Sequence, residues 1–231
     1  GGFPLRRLIL FDIDGTLLKG GPAKEAFTAA MAETYGSVRP PKRVSFGGKT
    51  DPQIARELLT LVGLDDDTVD SGLPKLWPRY LAHLEVGLDD RPMTVLPGVR
   101  ELLDALKVFD DIALGLVTGN IFGGAKLKLS SAKLWGRFQV GGFGSDHEER
   151  DELPAIALKR ARAHWETHLS ADETFIVGDT PRDVACGRAG GTRTLAVATG
   201  TYAAGELEAT GADYVLEDLS VTPEVVELLT T

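Results

Sequence analysis

Three short stretches of this 231-residue chain place oxygen-bearing side chains at spacings that serve chemistry. Asp12 and Asp14 close the apolar run LILFDI and lead into Gly15-Thr16. In a strand, residues i and i+2 point the same way, so both carboxylates can address one pocket. Two anions that close strain each other unless a cation or a proton stands between them. The second stretch, Val117-Thr118-Gly119-Asn120, offers a hydroxyl and a glycine-loosened backbone where a helix begins, a setting suited to phosphate oxygens. The third, Val177-Gly178-Asp179-Thr180-Pro181-Arg182-Asp183, adds two carboxylates at a strand-to-helix turn. Each has a plain reading: a polar turn after a strand, or helix capping by Asp179 or Thr180 ahead of Pro181. Together they are hard to explain as capping. An oxygen-rich cluster of this kind selects a hard cation, Mg2+ over zinc or copper.

The elements that must position these groups follow from periodicity. Apolar runs of strand length at 8–13, 112–117, 174–177, 193–197 and 213–216 alternate with helical patterns at 99–106, 124–134, 154–165 and 181–189. This alternation predicts an α/β fold, a doubly wound parallel sheet with a Rossmann-like core and helices on both faces. Ligands in such folds bind outside the carboxyl ends of the strands. From 20 to 91 no strand run is evident, only helical patterns at 23–35, 52–61 and 73–84 punctuated by Gly and Pro. That is far more chain than a crossover needs. The reading is a helical cap domain, 20–91, inserted into a catalytic core of 1–19 and 92–231; extra helices packed on the same core are the plainer alternative.

FDIDGTLL, LVTGN and IVGDTPRD, in that order, resemble the signatures of the haloacid-dehalogenase-like hydrolase superfamily, and the insertion after the first resembles its helical cap. The resemblance spans essentially the whole chain and is strongest to the phosphoglycolate phosphatase-like branch. It implies a Mg2+-dependent phosphatase acting on a small phosphorylated metabolite, phosphoglycolate-like, through an aspartyl-phosphate. Asp12 would be the nucleophile. Asp14 would protonate the leaving oxygen and then activate water, and splitting the displacement in two is the gain of covalent catalysis. Mg2+ would bind the Asp12 carboxylate, the Asp14 backbone carbonyl and the Asp179 carboxylate, with Asp183 orienting the metal's surroundings. Thr118, with Gly119 and Asn120, would hold phosphate.

The chain departs from the family pattern at its cation. Many relatives carry Lys-Pro before the third motif, whereas residues 144–154 here contain no lysine. Lys128, in a K-L-K-L arrangement resembling a subset of the family, is the first substitute for binding phosphate; Arg150, in roughly the usual place, is the second. In the insertion, Gly47-Gly48-Lys49-Thr50-Asp51 precedes a helix. It reads either as an ordinary cap at Thr50 or Asp51, or as a substrate-facing loop in which Lys49 pairs with a substrate carboxylate. His147 reads as a polar loop residue, and Cys186, Trp77, Trp135 and Trp165 as packing.

Asp14 counts against dehalogenation, because halide leaves without a proton, and against phosphonate cleavage, which would place a small residue there. A phosphomutase needs the same acids and stays open. So does a non-catalytic phosphometabolite-binding protein, though the presence of Asp12 and Asp179 counts against it. The net charge of −9 argues against a grip on nucleic acid. A single cysteine excludes an internal disulfide and fits a reducing compartment. No apolar run nears the ~20 residues of a membrane span, and the one behind Arg6-Arg7 is too short for a signal sequence. The expectation is a cytoplasmic monomer or homodimer whose partner is a small phosphorylated metabolite, with no nucleic acid or membrane partner.

Overall fold

The run Arg7-Leu8-Ile9-Leu10-Phe11 is buried at every position, and only a strand covered on both faces hides such a run. In the computed structural model, which describes residues 4–36 and 44–231, this strand, β1 (Arg7–Phe11), is followed by β2 (Leu18–Lys19), α1 (Ala23–Tyr35), α2 (Asp51–Leu61), α3 (Asp66–Asp90) and β3 (Thr94–Val95). Then come α4 (Val99–Leu106), β4 (Ile112–Thr118), α5 (Phe122–Ser131), β5 (Val140–Phe143), α6 (Leu153–Trp165) and β6 (Thr174–Gly178). The chain continues through α7 (Pro181–Ala189), β7 (Arg193–Val197), α8 (Ala204–Glu208), β8 (Tyr214–Leu216) and α9 (Thr222–Thr230). Six strands pair in parallel in the order β5-β4-β1-β6-β7-β8.

Alternate residues of β1 face opposite layers, as the pleat requires. Leu8 and Leu10 pack with Leu153, Ala157 and Ala161 of α6 and with Cys186 of α7. Ile9 and Phe11 belong to the opposite core, with Leu102 and Leu103 of α4 and Leu229 of α9. The doubly wound parallel sheet expected from the sequence is therefore the observed fold. No helix among the described residues is long and apolar enough to cross a membrane.

Register decides where the chemistry lands. Phe11 pairs with Leu116 of β4 on one side and Val177 of β6 on the other. Asp12 is thus level with Val117 and Gly178, and Thr118 and Asp179 lie one step further along. The chain leaves β1 toward β4 on one side and later reaches β6 on the other, so these three strand ends flank the point where the winding reverses.

Between β2 and β3 the regular elements among the described residues are the helices α1, α2 and α3. Leu58, Leu59, Val69, Leu76, Tyr80 and Leu84 are buried within this insertion and continuous with the Ile9 side of the core. β2 and β3 pair antiparallel, Leu18 with Val95 and Lys19 with Thr94, so the insertion leaves and returns at one place.

The sequence expectation lacked β2, β3, α8 and α9, and three further differences bear on the site. α3 runs from Asp66 to Asp90 rather than 73–84, through Pro74 and Pro78. Each proline removes a backbone donor and costs about 3 kcal/mol in a helix interior. A capping carboxylate at Asp65, 2.8 Å from Thr68 N, and five buried side chains outweigh that. β5, Val-Gly-Gly-Phe, was not expected at all. β1 ends at Phe11, so Asp12 and Asp14 are brought together by a turn rather than by strand pleating: Gly15 takes φ +84° and its N–H donates to Leu18 O at 2.8 Å.

Candidate active site

The turn after β1 is the first wall of a cavity of about 720 Å3 that the sheet's carboxyl edge shares with the insertion. Asp12, Asp14, Thr118, Gly119, Asn120, Lys128 and Arg150 line its sheet end. Glycine is required at 15 twice over: its φ is left-handed, and a Cβ there would collide with the Asp179 carboxylate. A Cβ at Gly200 would collide with the same carboxylate. Asp179 is also held by Thr16 Oγ1, which donates to its Oδ1 at 3.0 Å.

Asp12, Asp179 and Asp183 are all buried, and each offers a carboxylate oxygen within 4.8 Å of the others. Burial and the neighbouring carboxylates push Asp12 up to about 7 and Asp179 up to about 9. Clustered buried carboxylates of this kind are relieved by a cation, and an all-oxygen donor set fits Mg2+. Asp183 differs from the other two because its oxygens are already occupied. Oδ2 accepts from Thr180 Oγ1 at 2.8 Å, Thr180 N at 3.0 Å and Asp179 N at 3.2 Å, while Oδ1 accepts from Arg150 Nη2 at 2.5 Å. Thr180 and Asp183 form a reciprocal cap on α7, so the capping reading and the functional reading hold together.

The two candidate cations have separate partners. Arg150, buried on a short 3₁₀ turn after β5, places Nη2 3.3 Å from Asp12 Oδ1 and 2.5 Å from Asp183 Oδ1. Its Nε is buried without an acceptor. Lys128, one turn from the end of α5, places Nζ 3.0 and 2.9 Å from the two Asp14 oxygens. Burial alone would raise the Asp14 carboxyl, but Lys128 and the 2.8 Å hydrogen bond from Asn120 Nδ2 hold it below the usual range. Burial likewise opposes the Lys128 charge, and Asp14, Tyr80 and Asp51 together hold the ammonium well above its ordinary value. Asn120 also fixes Thr118: its N and Nδ2 donate to Thr118 Oγ1 at 3.1 and 2.8 Å.

The loop 47–51 is docked on the sheet end. Thr50 caps α2, accepting from Gln53 N at 3.2 Å and donating to Glu148 O at 2.6 Å. Asp51 N donates to Gly119 O at 2.8 Å, and Asp51 Oδ2 accepts from Ile121 N at 2.9 Å. Gly119 must lack a side chain, since a Cβ would run into the Lys49 carbonyl. Lys49 reaches the cavity, but its Nζ is 2.5 Å from Glu57 Oε2. His147 serves its own loop, accepting from Glu149 N at 2.9 Å. Burial pushes the Cys186 thiol up to about 12, which leaves it inert as a nucleophile.

Sequence reasoning missed the cavity's other end, where Phe27, Met31, Phe46, Ile54, Leu58 and Tyr80 form an apolar wall. It also missed Thr16 and Glu57 as partners of Asp179 and Lys49. Thr16 stood within the first motif, whereas nothing in the spacing marked Glu57.

Residues 9–197 match the family described as haloacid dehalogenase-like hydrolase. The chain is similar to a phosphoglycolate phosphatase from Rhodospirillum rubrum, 28% identical over 223 residues covering 93% of this chain and 88% of that protein. It is 24% identical to a Dickeya dadantii protein named probable phosphatase IndB, over 94% of this chain and 91% of that one. Its fold resembles that of a hydrolase from Pseudomonas syringae, with a TM-score of 0.68 and 20% identity over 97% and 99% of the two chains.

Proposed function

Because the chain belongs to the haloacid dehalogenase-like hydrolase family, we propose that it is a Mg2+-dependent phosphatase that cleaves a phosphorylated metabolite through an aspartyl-phosphate on Asp12. The observation that carries this reading is the pairing of two carboxylates, Asp12 buried and Asp14 open to the cavity, with different partners at one cavity end. Asp12 lies beside Arg150 and Asp179, and Asp14 beside Lys128 and Asn120. The phosphatase names of two relatives support it.

Asp12, the Asp14 backbone carbonyl and Asp179 would hold Mg2+, which supplies positive charge beside phosphate and nucleophile. In the first step an Asp12 oxygen attacks phosphorus, the ester P–O bond breaks, and the leaving oxygen takes a proton from Asp14, whose carboxyl gains that proton from solvent when the anionic substrate phosphate draws on Lys128 and raises it. In the second, water attacks phosphorus, its proton passes to the Asp14 carboxylate, and the Asp12–phosphorus bond breaks to release phosphate. Lys128 and Asn120 hold the Asp14 carboxyl in place for both transfers. Arg150 keeps Asp12 oriented and sets its positive charge beside the phosphate. Thr118, Gly119 and Asn120 complete the phosphate cradle. The insertion, 20–91, acts as a cap that closes water out through the contacts of Thr50 and Asp51 with the core.

Asp12→Asn, which keeps the size of the side chain and removes the nucleophile, is the test. Phosphate release from a panel of phosphomonoesters should fall to background while the melting temperature holds or rises. Turnover at the wild-type rate would overturn the assignment.

A further inference from the structure

The cavity's second half belongs to whatever carries the phosphate. Of the described residues that line it away from the sheet end, the larger part are apolar: Phe27, Met31, Phe46, Ile54, Leu58 and Tyr80 form the wall. The polar side chains interspersed there are already engaged or lie at the rim. Lys49 is neutralised by Glu57 at 2.5 Å. Thr28 donates to Lys24 O at 2.9 Å, and the Lys24 ammonium stands 5.8 Å from the centre of the Phe46 ring. Tyr80 joins the two halves: its ring meets Phe27 edge-on at 5.5 Å, and its hydroxyl end acts on the Lys128 charge.

We propose that the substrate's leaving group is an apolar alcohol, aliphatic or aromatic, whose body lies against Phe27, Phe46, Ile54 and Tyr80 while its phosphate meets Asp12. The inference rests on the phosphatase reading above and adds the class of substrate to it. Volume agrees, because about 720 Å3 is the size of pocket that takes a drug-sized ligand rather than a two-carbon acid. Chemistry agrees as well. A sugar would bring hydroxyls that this wall leaves without partners, and each buried unpaired hydroxyl is disfavoured. Glycolate would bring a carboxylate to a lysine that Glu57 already holds. An apolar chain needs neither and gains from every methylene removed from water.

The experiment is a series of primary n-alkyl phosphates from ethyl to hexyl, with 2-phosphoglycolate alongside. Leaving-group basicity is nearly constant along the series, so kcat/KM reports the contact with the wall. It should rise about threefold per methylene, about 10²-fold from ethyl to hexyl, and 2-phosphoglycolate should fall near ethyl phosphate. Phe46→Ser should lose about tenfold more on hexyl than on ethyl phosphate. Thr28→Phe, which fills the cavity from an exposed helical position, should move the best chain length downward. A flat series, or 2-phosphoglycolate outrunning hexyl phosphate, would overturn the proposal and leave the phosphatase reading standing. Calorimetry with the unhydrolysable n-alkyl phosphonates separates the two in the other direction. Tighter binding of hexyl- than of ethylphosphonate, in a protein that cleaves none of the esters, would uphold the apolar site and overturn the phosphatase reading.

Discussion

A single nitrogen of Arg150 serves two carboxylates, standing 2.5 Å from Asp183 Oδ1 and 3.3 Å from Asp12 Oδ1, with all three side chains buried. Asp183 in turn caps α7 and receives the Asp179 N–H, so Arg150, Asp12 and the turn bearing Asp179 form one unit. Lys128 differs, because its partner Asp14 has 48% of its side chain exposed toward the cavity.

This contrast predicts different losses at the two cations. Arg150→Met strands Asp183 and Asp12, and breaking a buried pair costs about 3–5 kcal/mol. The melting temperature should fall by about 10 °C. Arg150→Lys, which keeps the charge and gives up the planar fork, should recover most of that loss but not the turnover. Lys128→Met leaves a carboxylate that water can reach, so its melting temperature should fall far less while kcat drops about 10²-fold. Thermal unfolding set beside steady-state kinetics separates the cases, and equal melting losses in the two Met variants would refute the distinction.

Mg2+ should stabilise the folded chain in the absence of any substrate. At about a hundred times its dissociation constant a ligand adds ~2.7 kcal/mol, which raises the melting temperature by about 5–10 °C. Asp179→Asn keeps an oxygen for Thr16 but loses the charge, so its unliganded form should melt no lower than wild type and should fail to respond to Mg2+. An unchanged response would remove Asp179 from the metal's ligands.

Asp51 gives the pH dependence a sign. Burial pushes its carboxyl up from 3.8 to about 6, so between those values the folded chain binds a proton that the unfolded chain releases. Its contribution is present in full below pH 3.8 and is lost as the pH rises through about 6. Asp51→Asn can still accept from Ile121 N and has no proton to lose. The variant should therefore gain on wild type as the pH rises from 4.5 to 7.5, by up to about 2 kcal/mol. Urea unfolding at four pH values reads this directly, and a constant gap between the two proteins would show that Asp51 does not titrate there.

The strand ends that carry the chemistry were legible because β1, β4 and β6 are apolar runs that stop at a carboxylate or a hydroxyl. β5 was not, because Gly141 and Gly142 leave only Val140 and Phe143 as strand formers. Packing requires Gly142, since a Cβ there would meet the Leu153 carbonyl. α3 was read too short at both ends because its flanks, 66–72 and 85–90, are mostly polar and each buries a single side chain, Val69 and Leu88. Within the site, the motif carboxylates stood out by type and spacing. The partners of Lys128 and Arg150 did not, because Asp14 and Asp183 are distant in sequence and meet them only through the sheet. Phe27, Ile54 and Leu58 could not be told from core, since helical spacing of apolar residues is the same whether they face a neighbour or a cavity.

The ribbon of β2 and β3 has a consequence for how the chain could be altered. Leu18 faces Val95 and Lys19 faces Thr94, so the two ends of the insertion are one strand spacing apart, about 4.8 Å. A tight turn could bridge that gap without moving β1 or α4, and the six-stranded sheet makes none of its pairings through the excised segment. The faces left bare would lie at α5, where Gly123 and Gly124 now meet Leu81 and Tyr80, and at the sheet end under Thr50 and Asp51. A different helical unit grafted at Lys19 and Thr94, and matched to α5 and the sheet end, would present a new wall to the same four carboxylates.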